Sequence, residues 1–312
     1  MSVTTPIPPV VTPEYKSSVK DVSRGGWVVR VSVMVLVTFW VIPTVGVLIT
    51  SFRPGELADS SGWWTVFPNP FDAVWTLDNY REALSSEGFG NAFINTLAVA
   101  IPATVVPIAI ASFAAYAFSW MNFRGRSLMF MAVVGLLVVP LQMALIPILR
   151  LYSGGALAGP YVIFPDLDLN GTFLGVWLAH TGFGLPLAIY LLRNYIGSLP
   201  SSIIESARMD GADHFTIFWR LVIPLSVPAI AAFAIFQFLW VWNDLLVAYV
   251  FLGGSEETRV LTLALSRLSG QFGSTWHLLT AAAFITMALP LLVFFALQRY
   301  FVRGLTAGSV KG

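Results

Sequence analysis

The chain has 312 residues, 57% hydrophobic and 11% charged, with a net charge of +1 and no cysteine. Soluble domains carry about 25% charged residues, so this sequence cannot give its whole surface to water. Disulfides and thiolate metal sites are excluded, the charge offers no footprint for nucleic acid, and His180, His214 and His277 lack metal-ligand spacing.

Residues 1–26 are rich in Pro, Thr, Ser and Val. They read as a disordered tail in which Pro6, Pro8, Pro9 and Pro13 block regular structure. The first apolar run, Trp27–Thr50, is too long for a signal-peptide core and has no small-x-small cleavage site, so it is a true span. A membrane helix needs roughly 20 apolar residues. Five more runs qualify: Ala92–Trp120, Ser127–Leu151, Thr172–Arg193, Val227–Leu252 and Leu278–Phe301. Asp244 is the clear acidic exception in their interiors. The expected fold is an all-α integral membrane protein with six transmembrane helices.

Six spans put both termini on one side. That side carries 12 Lys and Arg residues against 5 on the other, and the positive-inside rule makes it cytoplasmic. The external loop at 51–91 is aromatic (Trp63, Trp64, Phe67, Phe71, Trp75, Tyr80), which suits an interfacial belt or a docking surface. The external loop at 253–277 contains the run Leu261–Leu265 and reads as a short re-entrant or surface element. Prolines recur inside the spans (Pro102, Pro107, Pro140 and Pro290 among them). Membrane helices tolerate them when neighbours satisfy the freed carbonyls.

Between the fourth and fifth spans lies a polar insert. Ser202-Ile203-Ile204-Glu205 fits a capping box, so Glu205 could satisfy a free amide at a helix start. Ile204, Ala207, Gly211, Phe215, Phe218 and Val222 recur every three or four residues and form one apolar face. Gly211 suits a close backbone approach, a bend or a helix end, and Pro224 stops the element before the fifth span. The residues alone leave a partner-docking helix and a solvated surface helix equally open.

Glu205-Ser206-Ala207, Gly211 and Leu221-Val222-Ile223-Pro224 resemble the EAA loop of ABC importer permeases in spacing throughout. Ser206, Leu221 and Ile223 are mild departures. Asp210-Gly211-Ala212, Asn79-Tyr80, Trp242-Asn243-Asp244 and the tail from Arg299 to Gly312 are similar to the maltose-transporter-type, carbohydrate-uptake branch, and most of all to α-glucoside permeases.

The resemblance covers roughly residues 27–312. It implies a type I ABC importer permease with a permease domain over 27–303, a coupling loop at 195–226 and a cytoplasmic tail at 304–312. It also implies a bacterial or archaeal inner membrane. The expected partners are a second homologous permease, an ATPase dimer that holds ATP and Mg, an external sugar-binding protein, the sugar and the bilayer. This chain itself has no phosphate-binding loop, so it is expected to hold no cofactor and to be no enzyme. Glu205, Ala207, Asp210, Gly211, Ala212 and Pro224 would form the ATPase-coupling surface, with Gly308 and Lys311 reaching the ATPase. Gln237, Asn243 and Asp244 are candidates for the substrate path, although Asp244 equally suits a bond to a neighbouring helix. The alternative is a self-sufficient secondary transporter, which would normally show more intramembrane acids and internal repeats.

Overall fold

A computed structural model describes residues 26–86, 88–158, 161–271 and 275–306. By their contacts, residues 1–47 and 48–312 form two units. The described part of the first is the run of α1 (Trp27–Ser51) as far as Val47. It exposes apolar side chains from Trp27 to Ile42, as a helix bathed in hydrocarbon does.

The second unit opens with α2 (Gly55–Ser60), a 3-10 turn (Trp63–Val66) and α3 (Asp78–Ser85). Asn79 is buried and donates to the Ser51 and Arg53 carbonyls, both at 2.8 Å. The Tyr80 and Ser51 hydroxyls meet at 2.7 Å. These bonds satisfy carbonyls that the end of α1 leaves without helical donors. Burial pushes the Arg53 guanidinium below its ordinary pKa, and its donors find the Leu57 and Ser61 carbonyls at 2.8 Å.

The bundle follows: α4 (Phe89–Trp120), α5 (Arg126–Leu136), α6 (Leu141–Gly154), α7 (Phe173–Gly197), α8 (Ser201–Met209), α9 (His214–Ile217), a π-helical turn (Phe218–Val222), α10 (Ile223–Trp242), α11 (Leu246–Leu252), α12 (Leu261–Gln271) and α13 (Trp276–Thr306). Among the described residues, one short antiparallel hairpin, β1 (Ala156–Ala158) and β2 (Tyr161–Phe164), interrupts the helical pattern. Helix α4 packs along α7 and α10, and α10 along α13. One apolar core joins Phe89, Val176, Trp242, Phe251 and Leu261; the other joins Tyr116, Leu192, Ile204, Phe218 and Val222.

Among the described residues, five helices are long and apolar enough to cross a membrane, and a sixth span arises if α5 and α6 count as one. That pair corrects the continuous span expected over Ser127–Leu151: it bends by 102°. Pro140 sits at the break with φ −63° and ψ 129°. It cannot donate an amide, and it disfavours helical geometry at Val139. The fifth span also differs from Val227–Leu252. It runs unbroken from His214 to Trp242, so Pro224, two residues past the π-helical turn, does not stop the element as expected.

Other prolines lie inside helices without breaking them, and three of these have a visible replacement for the lost bond. Pro102, Pro107 and Pro290 cannot donate to the carbonyls four residues earlier, which are Ala98, Ala103 and Thr286. Each carbonyl instead accepts a side-chain N–H from another helix. Trp177 of α7 donates to Ala98 at 2.9 Å, Gln237 of α10 to Ala103 at 3.1 Å, and Trp242 of α10 to Thr286 at 2.9 Å. Gln237 is fully buried and lies against Gly184 of α7, where an added Cβ would fall 2.7 Å from its amide nitrogen.

Gln237→Leu should strand the Ala103 carbonyl at a cost of about 1–3 kcal/mol. Combining it with Pro107→Ala should recover most of that loss, because the replacement for proline supplies the missing backbone N–H. Unfolding midpoints in detergent for the four members of this cycle check the coupling; additive losses would refute it.

Candidate functional site

The 195–226 segment is two helices joined by a sharply defined corner. α8 begins at Ser201 with Pro200 as its N-cap and no side-chain cap bond. The capping box expected at Ser202–Glu205 therefore does not form: Ser202 already lies within the helix, past the position that caps it. Glu205 is exposed and makes no hydrogen bond or ion pair among the described residues.

The end of α8 explains Gly211. The Ala212 amide donates to the Ala207 carbonyl and the Gly211 amide to Arg208, each at 3.0 Å. This pattern is a Schellman motif, which needs a left-handed residue at its corner. Gly211 supplies it with φ +83°, and a Cβ there would meet nothing within 4 Å. The glycine is therefore required for backbone conformation, while its open side remains available for a close approach. Ala207 and Ala212 close the corner by packing on the apolar core beneath.

Asp213 then caps α9, accepting the Thr216 amide at 2.8 Å. Bonds from the Thr216 hydroxyl and amide hold its carboxyl below the ordinary value. The sequence signal for this cap was an Asp just after the helix-ending glycine, hidden by treating Ile204–Val222 as one periodic face. Phe218 and Val222 are buried as that face requires, but Phe215 is exposed because the helix restarts beyond the corner. Asp210 lies exposed at the C-cap of α8.

The segment is tied to the bundle by helix ends. Arg208 donates to the Trp120 carbonyl of α4 at 3.0 Å, and the Trp120 indole donates to Ile196 of α7 at 3.0 Å. Tyr116 of α4 meets His214 Nδ1 at 2.8 Å. Phe218 stacks on Phe113 of α4 with ring centres 4.5 Å apart. Glu205, Asp210 and Gly211 share the exposed side with Met209 (82% exposed) and Phe215 (66%).

The remaining predicted residues lie near the other end of α10. Gln237 is committed to the Ala103 carbonyl. Asn243 is exposed, and its amide donates back to Leu239 at 2.8 Å. Asp244 lies in the break between α10 and α11, outside the apolar span expected to contain it. Its carboxylate accepts the Val247 and Ala248 amides at 3.3 and 2.9 Å, and its carbonyl accepts the Thr262 hydroxyl at 2.7 Å. Asn243 and Asp244 divert the backbone into these local bonds and end the helix. His180, buried in α7, was overlooked as a site residue: its Nε2 is 3.7 Å from Asp244 Oδ2 and its ring meets Trp240 edge-on. A lone histidine within an apolar span was the available signal. Gly308 and Lys311 lie outside the described residues.

The family model described as "Binding-protein-dependent transport system inner membrane component" matches residues 107–307. The chain belongs to that family and is a multi-pass membrane permease component of an ABC importer rather than an enzyme. It is 57% identical to the osmoprotective compounds uptake permease protein GgtD of Synechocystis sp., with 91% of each chain covered. It is 45% identical to the alpha-glucoside transport system permease protein AglG of Rhizobium meliloti, covering 92% of this chain and 97% of that protein. The fold also matches a crystal structure of a bacterial ABC transporter that imports alginate, with a TM-score of 0.69 and 21% identity, covering 93% of this chain and 100% of that one.

Gly211→Ala should cost about 1–2 kcal/mol through its left-handed backbone, and Gly211→Asn less, since Asn tolerates that region. Thermal unfolding of the purified chain checks the order. Because the Asp213 carboxyl is held low, its cap is present at neutral pH and lost as pH falls through that lowered value. Asp213→Asn should keep the α9 start ordered in acid; equal amide protection in wild type and variant across the titration would contradict this.

Proposed function

We propose that this chain is one permease subunit of an ATP-driven, binding-protein-dependent importer that moves a sugar, an α-glucoside or small oligosaccharide, into the cell by alternating access. The observation that carries the driving mechanism is the 195–226 corner. Its inner side is bonded to the ends of α4 and α7, while Glu205, Met209 and Phe215 are exposed on the outer side, and among the described residues the Glu205 carboxylate has no hydrogen bond or ion pair. A surface of this kind passes a push from a docked protein into the bundle, and α9 to α10 continues that push through the membrane as one helix. The partner is a separate ATPase dimer that binds ATP and Mg. Glu205 offers it a carboxylate, and Asp210, Gly211 and Ala212 a close backbone approach. Both termini lie in the cytoplasm, and the C-terminal tail with Gly308 and Lys311 reaches the same ATPase. A second homologous permease completes the path, and an external binding protein delivers the substrate.

Support for a sugar comes from relatives named for alpha-glucosides and for arabinooligosaccharides. Another relative is named for the uptake of osmoprotective compounds. Asn243, Asp244 and Gln237 remain candidates for the path wall; their bonds suit holding helix ends in place more than contacting cargo.

Glu205→Ala and Gly211→Asp should abolish uptake while the chain still inserts in the membrane. Wild-type uptake in both variants refutes the coupling role. Asp244→Asn should lower uptake less than Asp244→Ala, since an amide oxygen can still accept the Val247 or Ala248 amide. Initial uptake rates in vesicles, normalised to inserted protein, decide the order.

A further inference from the structure

Two adjoining cavities, of about 420 and 620 Å³, open beside α11 and α12. Small-molecule sites commonly span about 300–1,000 Å³. Tyr249, Gly253, Gly254 and Arg267 line both; Arg259 and Ser266 add to the first, and Gln142 of α6 to the second. They lie at the end of α10 away from the 195–226 corner, where substrate would arrive from outside on the reading proposed above.

The lining chemistry is specific. Tyr249 is 61% exposed. Neither its hydroxyl, the Gln142 amide nor the Ser266 hydroxyl makes a hydrogen bond among the described residues. Arg267 spends one N–H on the Gly254 carbonyl at 2.9 Å, leaving other donors of its fork free to point elsewhere. A Cβ at Gly254 would fall 3.3 Å from that guanidinium, so the bare glycine lets Arg267 lie flat across the backbone. Gly253 has φ +69° and ψ −151°, a region essentially confined to glycine, and it presents main chain to both cavities. Among the described residues no carboxylate lines either space, and Arg259 is bonded to Glu256 at 3.2 Å. A metal or organic cation therefore has no counter-charge here.

An exposed aromatic face next to planar and hydroxyl donors matches a pyranose ring, which has an apolar C–H face and a rim of hydroxyls. We propose that this chain carries its own saccharide station, with the sugar ring on Tyr249 and its hydroxyls bonded by Gln142, Ser266 and Arg267. The station receives cargo at the outer end of the path. It rests on the sugar-importer reading and adds a contact surface within this subunit.

The absence of native cysteine in this chain allows a direct test. Leu246→Cys and Ile146→Cys, at residues that line the cavities without a proposed sugar contact, are introduced one at a time into the full importer complex, whose other subunits have been made cysteine-free. Labelling by a small methanethiosulfonate is timed with and without maltose, trehalose or raffinose, in the presence of binding protein. Sugar at about ten times its dissociation constant should slow labelling at both positions by about tenfold, because only about one site in ten is then open. In uptake, Tyr249→Ala should lose about tenfold, and Tyr249→Trp should restore most of it, because stacking and not the hydroxyl carries the ring contact. Equal labelling with and without a sugar that the wild-type complex imports overturns the station while leaving the importer reading intact. A wild-type complex that imports none of the three sugars refutes the α-glucoside and oligosaccharide reading, and the station with it.

Discussion

Three backbone carbonyls released by proline set the arrangement of the bundle. In hydrocarbon no water can satisfy such a group, and an orphaned carbonyl costs several kcal/mol. Ala98, Ala103 and Thr286 each find an N–H on a different helix, from Trp177, Gln237 and Trp242. The bonds link α4 to α7, α4 to α10, and α10 to α13. They fix helix against helix in both rotation and height, which apolar packing in lipid specifies poorly. Gln237 shows how tightly the design closes, since its amide occupies space that Gly184 leaves empty.

With the bundle held this way, its loop end can act as a firm seat. Arg208, Trp120 and Ile196 form a relay of helix-end bonds that ties α8 to α4 and α4 to α7. The corner at Gly211 is closed on both sides, by the Schellman bonds before it and by the Asp213 cap after it. Nothing in that closure uses Glu205. Among the described residues its carboxylate is free, which separates the two roles that the sequence left superimposed: capping falls to other groups, and the acid faces outward.

Hydrophobic length made the spans legible, and the spacing from Glu205 to Pro224 made the loop legible. Both are local properties of the chain. What could not be read was tertiary. Pro102, Pro107 and Pro290 continue their helices, as do Pro43, Pro147, Pro186 and Pro228, whereas the chain turns at Pro140; only the fold shows that the carbonyls freed by the first three meet a donor on a neighbouring helix. The apolar run through Leu252 hid the break at Asn243 and Asp244, because only the fold reveals that Asp244 finds two amides beyond it. The capping box at Ser202 was lost for a smaller reason: Pro200 can start a helix without a side-chain cap, and the start moved back by two residues.

The π turn at Phe218–Val222 has a geometric consequence of its own. One residue of an α-helix corresponds to about 100° of azimuth. A wider turn between α9 and α10 therefore sets the phase between the His214 and Trp219 side of the loop and the Gln237 side of the membrane helix. Deleting a single residue there would leave both stretches helical and equally stiff. It would also swing the corner around the axis, carrying Phe218 off Phe113. The direction in which the loop points is thus encoded as a count of residues, like the indexing of a gear, and no single side chain determines it.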